Sequence, residues 1–470
     1  MTLAGRMRPY ILLTLALMTG CQSLATQTKP AFENEGDVLV YVHPFAQEAD
    51  RLGFSLEGVS AMREDGAGFP LALLVHDFSR TGMKRQRLIA AGRLPEGTYS
   101  GLLFKVKSAS LKTDEGNAAL MIPEAPVKRD FLFKVERKKA LVLSLLLQYA
   151  GSITDGVQFK PAWHISVPLR PISGLAGYAS NHGLNAVTVF DKVNQQVTGV
   201  ITTGSGPGGM ALDKSRNRLY VALSNDDAVE VVDVAEGSSL GTIRLLQGDA
   251  PAELALTPDG QTLLSVNTGS DTISFMDTAA MVERGRTGVG KRPRSVLIEK
   301  TGRKAYVFNA LSNSISVVDI SAKAVMGEIA TGPEPIRGQF NRAGDRLYVA
   351  HAEYPYLFVI NPVSFTLARR EFVGTGVRSL KLDARTDLLY IGKKNDTAIG
   401  VYDPLTFNAV DYISTGGAVD YMTIDGEGNN LYLVIAERKL VMIVNLINTR
   451  NVSELDAIDG PSWVTMMGER

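Results

Sequence analysis

An all-β chain, with an N-terminal β-sandwich and a seven-bladed β-propeller closed by its C-terminal strand, is the fold the sequence predicts. Three observations predict it. An alternating apolar run ending in Asp or Asn recurs at Asp191, Asp233, Asp277, Asp319, Asn361, Asp403 and Asn445, 42 residues apart except for one step of 44. Turns marked by Pro207, Pro251, Pro293, Pro335, Val377, Val419 and Pro461 keep almost the same register. Ahead of them, residues 36–170 break into short β-branched, aromatic and Leu-rich runs punctuated by Gly, Pro and Asp, the pattern of antiparallel strands. A repeat of about 40 residues with four short strands is the size of one propeller blade.

Composition narrows the function classes. At 470 residues the chain exceeds one ordinary core, so two domains are expected. Its 49 basic and 49 acidic residues cancel, which gives bulk charge no reason to attract a polyanion. One cysteine excludes a disulfide framework, Cys-based zinc or iron–sulfur sites and the CxxCH attachment of a c-type haem. Five histidines leave little material for a His-rich metal centre or proton relay. No metal site, catalytic residue or cofactor is therefore assigned.

From the N-terminus, residues 1–20 read as an export signal: basic Arg6 and Arg8, an apolar run from Tyr10 to Met18, then small residues before Cys21. The run is far short of the ~20 residues a spanning helix needs. Leu17-Met18-Thr19-Gly20-Cys21 resembles a bacterial lipobox, which implies acylation of Cys21; an ordinary signal peptide with a chance cysteine is the alternative. By the same resemblance, Gln22 in place of Asp implies the outer membrane, with the lipid as the membrane contact. Residues 21–35 form a polar tether.

Residues 36–170 are expected to fold as two packed sheets. The run LVLSLLL at 141–147 is apolar on both sides of its pleat, as for a central strand covered on both faces. Leu94-Pro95-Glu96-Gly97-Thr98-Tyr99, followed by a strand and MIPEAPVKRDFLFKV, resembles a bacterial domain of unknown function common in lipoproteins. Gly97 is expected to supply a turn conformation and Tyr99 to pack at a sheet corner. His43, His76 and His164 have no ligand spacing and read as surface or satisfied side chains.

Residues 171–470 carry the repeats, with LYV-type strands such as RLYVA, KAYVF, LLYIG and NLYLV before each Asp-terminated strand. These units resemble the YVTN family of β-propeller repeats, which implies seven four-stranded blades. The region opens without an inner strand and closes on PSWVTMMG, a lone inner strand, so the C-terminus is expected to complete the first blade and remove two open sheet edges. The repeated Asp tempts as a catalytic carboxylate, yet seven copies at one position argue for a turn-capping role instead.

Function is expected in the loops that differ between copies. Lys291, Arg292, Arg294, Arg337 and Arg378 fall on three successive blades, at the entry to the inner strand, where they can form a patch for a phosphate, a sugar acid or a nucleic-acid backbone. Tyr354 lies in a neighbouring second-to-third-strand loop, as do Asn225, Asp226, Asp227, Asp271, Asn313, Asn395 and Asp396. The leading reading is a non-enzymatic binding or scaffold lipoprotein with a protein or small-ligand partner on its loop face. A lactonase-like or quinone-dependent propeller enzyme is the alternative, weakened because His182 and His351 lie four blades apart and are expected to be exposed. Single-stranded nucleic-acid binding would need aromatics among the basic loops, and only Tyr354 and Tyr356 are near, so nucleic acid is an unlikely partner.

Overall fold

A computed structural model describes residues 34–469. The export signal, Cys21 and nearly all of the tether lie outside the described residues. The described chain is nearly all β.

The N-terminal strands form one curled ten-stranded sheet. In spatial order its main path runs through Trp163–Ser166, Ala140–Leu147, Glu35–Val42, Arg87–Pro95, Gly68–Leu73, Leu52–Arg63, Gly97–Thr113 and Gly116–Ala119. The two expected layers thus face each other across one core but are joined at Gly68–Leu73, which pairs with a strand on each side. Phe54 organises that core, with ring centroids of Phe78 and Phe159 each 4.9 Å away. Gly97 has a positive φ of 152°, and buried Tyr99 donates its hydroxyl to the Pro95 carbonyl at 2.9 Å, as the turn chemistry requires.

Leu143, Leu145 and Leu147 face that core, whereas Val142 turns the opposite way with Leu39, Tyr41 and Leu88 into the core of the adjoining propeller blades. This two-sided burial accounts for the apolar residue at Val142, whereas Leu146, further along the run, is 44% exposed. Polar contacts fix the docking. The Gln86 side chain accepts from Val197 N (2.7 Å) and donates to Val197 O (3.2 Å). Asp456 accepts from Arg87 Nε at 2.9 Å, Leu88 N at 3.0 Å and an Arg85 guanidinium nitrogen.

Seven four-stranded antiparallel sheets follow. Blade 1 takes its innermost strand, Pro461–Met466, from the end of the chain, paired to Ala176–Asn181 with Ser180 opposite Trp463. Blades 2 to 7 begin at Pro207, Pro251, Pro293, Pro335, Val377 and Tyr421. The LYV tyrosines Tyr178, Tyr220, Tyr306, Tyr348, Tyr390 and Tyr432 are all buried at one register position. Burying such a ring stabilises by about 2 kcal/mol or more, so this row carries much of the propeller's core energy.

Each closing residue caps its turn. Asp191 Oδ1 accepts from Val193 N and Asn194 N, Asp277 from Ala279 N and Ala280 N, Asn361 from Val363 N and Ser364 N, and Asp403 from Leu405 N and Thr406 N. Asp233, Asp319 and Asn445 do the same. Backbone N–H donors hold the carboxyls of Asp277, Asp319 and Asp403 below their usual pKa. These carboxylates are spent on architecture.

Candidate anion site at the channel mouth

The innermost strands line a central channel, and its mouth is a cavity of about 700 Å³. Arg292, Arg294, Arg337 and Arg378, four of the residues expected from the sequence, line it together. Lys394, Glu253, Glu334, Glu353, Asp420 and Trp463 complete its charged and aromatic wall.

The cations divide into two kinds. Arg337 is paired: its Nη2 donates to Glu253 Oε2 at 2.7 Å, and its guanidinium lies 5.1 Å from both the Tyr421 and Trp463 ring centroids. Those rings stack on each other at 3.7 Å. An arginine that is ion-paired and held against two rings is fixed in place before any ligand arrives. Burial raises the pKa of Glu253, against the opposing pull of Arg337. Arg378 is also paired, donating to Asp420 Oδ1 at 2.5 Å.

Arg292, Arg294 and Lys394 are the second kind. Among the described residues none of their side chains makes a hydrogen bond or ion pair. Arg294 is exposed, yet the water it meets is that of the channel. The surrounding walls lower its pKa by desolvation, and Arg292 and Arg337 add like-charge repulsion, against the weaker pull of Glu334 and Glu253. A cation destabilised by its surroundings and lacking a counter-ion is a ready site for an anion.

Positive-φ backbone, which also recurs in the blade turns as at Met281, Lys323 and Phe365, is found at this mouth as well. The residue before each inner-strand proline has a positive φ. In blades 2 and 1 it is Gly206 or Gly460, but in blades 3, 4 and 5 it is Ala250 (47°), Arg292 (50°) and Glu334 (51°). A non-glycine residue in this region is uncommon and costs of order 1 kcal/mol, so side chains are retained there against local preference. The preceding blade's second-to-third-strand loop holds them. Asp227 accepts from Ala250 N at 2.8 Å, Asp271 from Arg292 N at 2.7 Å and Asn313 from Glu334 N at 3.2 Å. The acidic loop set read from the sequence therefore anchors the mouth.

Two expected residues stand apart. Lys291 is exposed, pairs with Asp271 at 2.9 Å and is outside the cavity wall. Tyr354 also lies outside the wall and packs against His351 and Phe358.

His351 corrects an expectation. It ends the strand Leu347–His351 and is 1% exposed. Its position is the asparagine of the repeat: Asn181, Asn267 and Asn309 donate from there to Thr188, Ser274 and Ser316, each seven residues on. In blade 5 that pair is replaced by His351 and Phe358, with ring centroids 4.7 Å apart. Nδ1 lies 3.0 Å from the Tyr356 carbonyl, which can only accept, so Nδ1 carries the proton; Nε2 has no partner. Desolvation lowers the His351 pKa to about 4.

Sequence reasoning missed Glu253, Trp463 and Tyr421 as parts of this site. Their signal was present: they share the second position after the turn marker with Arg337, at 253, 421 and 463.

Residues 247–404 match the family described as "Lactonase, 7-bladed beta-propeller". No curated protein matches the chain. Among solved structures, a Kuenenia stuttgartiensis hydrazine synthase chain is similar at 19% identity, with 58% of this chain and 93% of that one covered and a TM-score of 0.53. A functionally unknown protein from Desulfotomaculum acetoxidans is similar at 14% identity, covering 62% and 98%, with a TM-score of 0.55. The dihydro-heme d1 dehydrogenase NirN in complex with DHE is similar at 14% identity, covering 64% and 78%, with a TM-score of 0.51. At these identities the solved structures carry the fold alone. The family match over part of the ring and the similar structures agree on one architecture, a seven-bladed β-propeller.

Proposed function

We propose that this protein is an exported lipoprotein, held at the outer membrane by acyl chains on Cys21, whose channel mouth binds a small organic anion without turning it over. The observation that carries the binding reading is the group of cations without counter-ions, Arg292, Arg294 and Lys394, set around the fixed Glu253–Arg337 pair. A carboxylate or phosphate would be held by the free guanidinium groups. The Tyr421–Trp463 stack and Arg337 offer a flat surface for an apolar or sugar-like body. Calorimetric titration with D-gluconate and with inorganic phosphate tests this. At least one should bind, and Arg294→Ala should weaken it by about tenfold or more. Equal affinities in the two proteins would sink the reading. Acylation is tested separately: Cys21→Ala should shift the protein from the membrane to the soluble fraction.

A second reading, a lactonase-like enzyme, is favoured by the family match and by Glu253. Its carboxylate would take a proton from water as that water attacks a lactone carbonyl. The ring C–O bond would break as Glu253 returns that proton to the ring oxygen, and the new acid group would lose its own proton to solvent, leaving a hydroxy acid whose carboxylate faces the free arginines. Glu253→Gln would then slow hydrolysis of δ-gluconolactone by about 100-fold or more. Hydrolysis no faster than in buffer leaves the binding reading.

A further inference from the structure

Below the mouth the channel carries a second built anion site, and a side chain of the protein fills it. Lys381, Thr423 and Thr465 lie four residues after Val377, Val419 and Pro461, at one register position on the inner strands of blades 6, 7 and 1. These blades are consecutive around the ring. The other four blades carry Ala211, Ala255, Leu297 and Gln339 there, so the hydroxyls and the ammonium are confined to one sector. All three polar residues are buried.

The occupant is the Glu469 carboxylate, on the turn after the ring-closing strand. It accepts from Thr423 Oγ1 at 2.5 Å and Thr465 Oγ1 at 2.8 Å, with Lys381 Nζ 3.7 Å away. Two hydroxyl donors and one ammonium match the acceptors and charge of a carboxylate. The segment is held by Gly426 N donating to Gly468 O at 2.8 Å and Lys192 Nζ donating to Met467 O at 2.7 Å, and the Glu469 side chain keeps 28% of its surface exposed. Burial depresses the basicity of Lys381, and Arg337 in the tier above adds to that depression. Without Glu469 this buried ammonium would keep only the weaker pull of Asp383, so an anion at the site is favoured.

We propose that Lys381, Thr423 and Thr465 form an inner carboxylate-binding site, distinct from the mouth, which Glu469 occupies as a tethered ligand. Withdrawing that tether opens the channel floor to a small monocarboxylate from solvent. The inner site stands independently of the mouth reading.

Acetate tests it on the full chain. In Glu469→Ala, saturating acetate should raise Tm by about 2 °C, while the wild type, already filled, should not respond. The rise should vanish in Glu469→Ala/Lys381→Met and survive in Glu469→Ala/Arg294→Ala. No response in Glu469→Ala, or one that follows Arg294 and ignores Lys381, overturns the proposal. If Glu469→Ala does not fold, hydrogen exchange in Lys381→Met decides. Loss of the ammonium should loosen the Glu469 segment and speed exchange at the Gly426 amide about tenfold, whereas unchanged exchange overturns the proposal.

Discussion

The two ends of the repeat differ in how much they vary. At the turn end, seven Asp or Asn residues make the same two-residue cap, and any blade could replace another. At the mouth end, the equivalent positions 253, 295, 337, 379, 421 and 463 are Glu, Ser, Arg, Ser, Tyr and Trp. The turn end must satisfy backbone donors that every blade shares. At the mouth end the backbone needs are met by the inner strands, and the side chains at these mostly buried positions diverge around the channel. Divergence of the mouth side chains, as at Arg292 and Glu334, is where a ligand site is to be sought.

The largest effect should come from breaking the common register. Deleting Trp463–Gly468 removes most of the inner strand of blade 1, leaves the inner edge of Ala176–Asn181 unpaired and takes the buried Val464 and Met466 out of the core. Cooperative unfolding should be lost or Tm should fall by tens of degrees in a thermal melt, and an unchanged Tm would show that the ring closes otherwise. Asp456→Ala, at the docking surface, should cost about 2–4 kcal/mol, since Arg85 and Arg87 lose their shared acceptor while partly buried. Urea denaturation followed at Trp163 and Trp463 reads this, and a cost below 1 kcal/mol would mean that the apolar contacts of Tyr41 and Val142 suffice.

A third prediction concerns the departure in blade 5. The His351 pKa is about 4 folded, against an ordinary value of 6.5, so the folded state disfavours the proton. Its stabilising contribution is complete above pH 6.5 and is lost as pH falls through about 4, of order 3 kcal/mol in all. His351→Asn with Phe358→Ser restores the repeat's own pair and should flatten stability over that window. An equal acid loss in the double variant would place the sensitivity elsewhere.

Much of this was legible in the sequence because it repeats. The 42-residue register gave the blade count, the closing strand and the capping role of Asp319 and its equivalents. Four of the five basic mouth residues were legible because the same register set them beside one another. What stayed hidden depends on where a side chain goes once the backbone is placed. Lys291 is adjacent to Arg292 in sequence, but its side chain is paired with Asp271 outside the cavity wall. His351 looked like a loop residue until its match to Asn267 and Asn309 put it inside a blade. Glu253 and Trp463 are far apart in the chain and meet only because the ring closes. The join of the N-terminal layers into one curled sheet was unreadable because strand pairing there follows no period.

Two substitutions in one blade set the comparison against itself. Arg294→Ala at the mouth of blade 4 should weaken anion binding about tenfold or more and leave Tm within a degree or two. Asp319→Ala at its turn should cost about 1 kcal/mol of stability and leave affinity unchanged. Calorimetric titration and melting of the two variants side by side is the most direct measurement. Should the turn variant lose the ligand while the mouth variant keeps it, function would lie in the shared register, and the account given for the mouth would be wrong.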